Sequence, residues 1–167
     1  GQASRDAHPF LNFFYPTDIF PFTDIEQTDP ATGLTGGMLS HVSEKFMPKI
    51  YNVNSSYEYW GRVASLLTTT VDGKKDAAMM DEHARVYHFA GAQHLASKFP
   101  PTQTNGQNLN NPNDFSWFMR SLLVRMNEWI VEGTPAPRSR FPLITNGTLV
   151  ELGEVNFPNL PGVNFPT

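Results

Sequence analysis

The chain has 167 residues, of which 40% are hydrophobic and 17% charged, a balance that fits one ordinary domain, or part of a larger one, and argues against a disordered polyelectrolyte or a coiled coil. Twelve Lys and Arg against sixteen Asp and Glu give a net charge of −4, which argues against a nucleic-acid binder. There is no Cys and no apolar run near the ~20 residues of a membrane-spanning helix, so no disulfide framework, thiolate nucleophile, Cys-ligated metal or membrane span is expected, and the compartment stays open.

Residues 1–48 show almost no periodicity. Phe10, Phe13, Phe14, Tyr15, Phe20 and Phe22 are cut by Pro9, Pro16, Pro21 and Pro30, which predicts an ordered, lid-like loop pinned by aromatic burial and unable to build a sheet. Turns are expected at Asp29–Gly33 and Gly36–Gly37, and a short helix from about Met38 to Phe46. Gly1 is followed by nothing like a signal peptide, and the start reads as a processed, engineered or truncated end.

Pro48–Val53 is a short β-branched strand candidate. Ser56 is expected to cap a helix over about Tyr57–Leu67, with Tyr59, Trp60, Val63, Leu66 and Leu67 near helical spacing. Asp72–Asp76 reads as a turn, Arg85–Phe89 as a second strand, and residues 96–113 as loop. The clearest helix follows a cap at Asn113 or Asp114, with Phe115, Phe118, Leu122, Val124, Met126, Trp129 and Ile130 as a broad apolar face up to Gly133. Beyond it lies a Pro-rich tail with aromatic anchors. The order strand, helix, strand, helix implies parallel pairing and an α/β class.

In parallel α/β sheets, ligands bind beyond the carboxyl ends of the strands. Glu58 follows the first strand there and His94 follows the second. A carboxylate and an imidazole so placed suit nucleophilic hydrolysis, the ring taking a proton and the acid fixing its tautomer. A structural reading stands beside it, since an acid in a helix's first turn is favoured by the dipole alone. His88, mid-strand, reads as a packed residue, and His8, His41 and His83 have no partner at diagnostic spacing. Asp18, Asp24, Glu26 and Asp29 gather acid in one loop whose oxygens could hold Ca²⁺, but the spacing matches no EF-hand and solvated turn acids are the stronger reading, so no metal site is expected. The triplets Asn54-Ser55-Ser56 and Asn146-Gly147-Thr148 fit the N-glycosylation pattern at close to chance frequency.

The stretches FLNFFYPTDIFPFTDIEQTDPATGLTGGMLS, PKIYNVNSSYEYWGRVASLL, ARVYHFAGAQH and LLVRMNEWIVEGTPAPRSRFPLITNGTLV resemble the C-terminal half of the α/β-hydrolase-domain family, large members of the α/β-hydrolase superfamily. The resemblance implies a Ser–acid–His triad, with His94 as its histidine, from the AG-x-x-H segment, and Glu58 as its acid, from the EYW segment. The family's G-x-S-x-G-like nucleophile elbow is lacking. Ser55 and Ser56 sit at a strand end without flanking glycines, Ser65 and Ser121 fall within helices, and Ser139 lies in the tail.

The resulting expectation is the C-terminal part of an α/β-hydrolase fold: a lid-like segment at 1–47, core strands and helices at 48–133, and a wrapping tail at 134–167. The expected partners are a small ester-like substrate and an N-terminal portion of the same protein carrying the nucleophile. No cofactor is expected, and this chain alone should not hydrolyse the substrate. The alternative is a non-catalytic hydrolase-like scaffold or a binding module using exposed aromatics.

Overall fold

The computed structural model describes residues 20–61 and 64–162. His8, the aromatic run Phe10–Tyr15 and Asp18 therefore lie outside the described residues. The elements run β1 (Gln27–Thr28), β2 (Thr35–Gly36), β3 (Ile50–Ser55), α1 (Ser56–Gly61), β4 (Ala84–Phe89) and α2 (Ser116–Val131), with 3-10 turns at Glu44–Phe46, Ala64–Leu67 and Leu152–Glu154.

The aromatic, Pro-cut segment does build a small sheet, contrary to expectation. β1 and β2 pair antiparallel, Gln27 with Gly36 and Thr28 with Thr35. The intervening turn is the expected one. The Asp29 carboxylate accepts the Ala31 N–H at 3.0 Å and the Thr32 hydroxyl at 2.7 Å, and Gly33 takes φ +72°. At Gly37 a Cβ would stand 2.7 Å from the Asp24 carbonyl oxygen, so only glycine fits this close backbone approach. The Met38–Phe46 helix is also corrected. Its start is a series of tight turns, with Ser40 donating N–H and hydroxyl back to the Gly37 carbonyl, and only Glu44–Phe46 winds as 3-10 helix. Serines that bond their own backbone compete with helix formation.

β3 and β4 pair parallel in a register from Ile50–Ala84 to Ser55–Phe89. The chain is thus a mixed α/β structure with a small parallel sheet. Registered partners face the same side, which separates two layers. On one face Tyr51 meets Tyr87 edge-on at 5.2 Å and stacks on Trp129 of α2 at 5.9 Å, while Phe89 meets Phe115 and Phe118 at 5.8 and 5.5 Å. On the other, Tyr59 of α1 packs edge-on against His88 at 4.9 Å, with Val86 and Ala84 buried nearby along the strand. α1 is shorter than expected, stopping at Gly61, a poor helix former. The chain resumes as a 3-10 turn whose end is tied by the Thr68 and Thr69 hydroxyls to the Ser65 carbonyl.

The tail contributes to the sheet, which its prolines conceal. Arg140 forms a parallel bridge to Tyr87, donating its N–H to the Val86 carbonyl and accepting the His88 N–H, both at 2.8 Å. Pro135, Pro137 and Pro142 prevent this segment from reading as a strand, yet a single bridge at an edge tolerates them. The α2 face is narrower than its stripe of apolar residues. Trp129 is buried and Phe115, Leu122 and Met126 are half-buried, whereas Phe118, Val124 and Ile130 are exposed.

Candidate active site

Glu58 and His94 meet. The last residue of β3, Ser55, caps α1: its hydroxyl accepts the Tyr57 N–H at 3.1 Å, and its own N–H donates to Glu58 Oε2 at 2.9 Å. This reciprocal Ser-x-x-Glu arrangement is a capping box. The Ser55 hydroxyl also donates to Glu58 Oε2, so one carboxylate oxygen is fully engaged with the helix start. The other, Oε1, is thereby turned toward the loop after β4, where it meets His94 Nδ1.

A carboxylate can only accept, so the ring nitrogen facing it carries the proton. That leaves Nε2 as the acceptor in the neutral ring. Nε2 has no hydrogen-bond partner among the described residues, and the His94 side chain is 66% exposed against 11% for Glu58. Tyr57 flanks the imidazole, ring centroids 5.8 Å apart. Burial pushes the Glu58 carboxyl up, but the bonds from the Ser55 hydroxyl, His94 and the Ser55 N–H outweigh it and hold the group below the ordinary carboxylate value. The acid is thus kept ionised, the state that stabilises an imidazolium beside it.

The remaining sequence candidates separate. Ser55 and Ser56 are not placed as nucleophiles, since Ser55 is spent on Glu58 and the helix start and Ser56 accepts a backbone N–H from another loop. His88 is half-buried against Tyr59, and burial lowers its pKa. His83, without a sequence partner, is buried with Nε2 3.2 Å from Glu44 Oε1. In the acidic loop, Asp24 is buried and its carboxyl raised by that burial, whereas Asp29 is lowered by the Thr32 hydroxyl and Ala31 N–H of its own turn. No group of three His, Asp or Glu among the described residues is arranged to hold a metal ion. Asn54 is 1% exposed, and a glycan has no access to it. No helix among the described residues is long and apolar enough to cross a membrane. The capping box went unread in the sequence although its Ser-x-x-Glu spacing, just after an apolar strand, is the signal for it.

Comparison with family models, with curated proteins and with solved structures yields no match for this chain.

Proposed function

We propose that this chain supplies the acid and the base of a serine hydrolase acting on ester-type bonds, within the C-terminal part of an α/β-hydrolase fold. The observation that carries the reading is the Glu58–His94 pair at the carboxyl ends of two parallel strands, with Nδ1 on the acid and Nε2 open to solvent. That polarity is the one acyl transfer requires. Nε2 takes the proton of an attacking hydroxyl and later returns it to the leaving alkoxide, while Glu58 holds the tautomer and offsets the ring's positive charge. The serine belongs to another stretch of polypeptide, expected to precede these strands in chain order.

A second reading has its own observation. The capping box accounts for Glu58 as a purely structural residue, and exposed Trp117 and Phe118 on α2 (66% and 60%) suit a partner-binding scaffold. Ester turnover by the complete protein decides between them. His94→Ala is expected to lower kcat by roughly 10³-fold or more with the fold intact. Undiminished turnover in that variant removes the hydrolase reading and leaves the scaffold.

A further inference from the structure

His94 lies on a loop without regular structure, its ring mostly in solvent and its one hydrogen bond among the described residues made to Glu58. Side-chain packing therefore does little to fix the imidazole, and its place depends on how the backbone on either side is held. Two residues three positions away, one before and one after, are tied to the same short segment. Gly91, at φ +71°, has both backbone polar groups bound by side chains. Its N–H donates to the Ser56 hydroxyl at 2.9 Å, and its carbonyl accepts the Asn111 and Asn113 amides at 2.7 and 3.0 Å. On the far side of His94, the Ser97 N–H donates to the Asn111 carbonyl at 3.0 Å. Asn111 is itself braced, its Oδ1 accepting the Asn113 N–H at 2.9 Å.

We infer that Ser56 and Asn111 form a clamp that positions His94 against Glu58. The inference rests on the hydrolase reading for its functional consequence. Asn111 spans the loop, holding Gly91 through its side chain and Ser97 through its backbone. Ser56, the first residue of α1, joins that loop to the helix that carries Glu58. The tandem Ser55-Ser56 thus divides the work: Ser55 orients the acid, and Ser56 anchors the loop bearing the base. Neither acts on a substrate; both are positioning residues. Gly91 suits the position because its conformation is one side chains rarely adopt, which brings its N–H and carbonyl to three side chains at once.

The test uses the complete protein with 15N-labelled histidine, comparing wild type, Ser56→Ala, Ser56→Thr, Asn111→Ala, Asn111→Asp and His94→Ala. Asn111→Asp retains the acceptor for the Asn113 N–H but lacks the donor to the Gly91 carbonyl. The expected result is a kcat about tenfold lower in Ser56→Ala, Asn111→Ala and Asn111→Asp, with KM within about twofold. The downfield His94 Nδ1 proton should broaden or vanish in the same three proteins, and Ser56→Thr should restore both signals. Unchanged circular dichroism separates this from unfolding. The clamp is overturned if the Nδ1 resonance and kcat survive in all three variants while His94→Ala is inactive. If His94→Ala retains full turnover, the hydrolase reading falls instead, and the Nδ1 resonance alone still decides whether the clamp exists.

Discussion

Glu58 has two duties at once, and its substitutions separate them. Glutamine at this position of a capping box still reaches back to the Ser55 N–H, so Glu58→Gln should keep α1 and lose only the part of the stability that the carboxylate charge contributes. It removes the charge opposite His94 and the control of its tautomer, so kcat should fall by roughly 10³–10⁴-fold. A pH dependence follows from the same residue. Its folded-state pKa is depressed below the ordinary 4.5, so its contribution to stability is complete above that value and is lost as pH falls through the lower folded-state value. Urea denaturation between pH 6 and 3 should show a slope that flattens in Glu58→Gln. An equal slope in the two proteins would mean that the carboxylate gains nothing from Ser55 and His94.

At the scale of elements, α2 is held to the sheet chiefly by one side chain. Trp129 is 6% exposed, stacked on Tyr51, with the Lys49 ammonium and Arg85 guanidinium each 4.8 Å from its ring centroid. Trp129→Ala should cost about 3–5 kcal/mol in equilibrium unfolding, whereas a loss below about 1 kcal/mol would place the anchor elsewhere. The tail has a comparable tie, since the Asp76 carboxylate accepts the Ile144 and Thr145 N–H groups at 2.7 and 3.0 Å. Asp76→Ala should expose residues 140–150 to limited proteolysis while the sheet stays protected, and unchanged cleavage would count against that tie. β3, β4 and α2 were legible because each follows a strong local signal: β-branched and aromatic runs for the strands, and an apolar stripe ended by Gly133, at φ +71°, for the helix, although its N-cap is Phe115 without a side-chain cap bond and not the expected Asn113 or Asp114. β1, β2 and the Arg140 bridge were not legible. Two-residue strands have no period to detect, and Arg140 sits among prolines that suppress strand character. Glu58 and His94 were found as strand-end residues. Their convergence depends on register between strands far apart in sequence, which a local pattern does not carry.

At the scale of the molecule, the parallel sheet is small, and one of its edges is unpaired among the described residues. Arg140 partly covers the outer edge of β4, and among the described residues no strand pairs with the outer edge of β3. The His94 side chain lies largely in solvent, and Leu123 and Ile130 of α2 are exposed at 72% and 62%. In the proposed reading, this chain is a catalytic half whose hydroxyl comes from another stretch of polypeptide. Reaction of the complete protein with a labelled fluorophosphonate, followed by peptide mapping, tests this most directly. The expected result is one labelled serine outside Gly1–Thr167, with labelling abolished by His94→Ala. A protein that takes up no label, or takes it up equally without the imidazole, would contradict it.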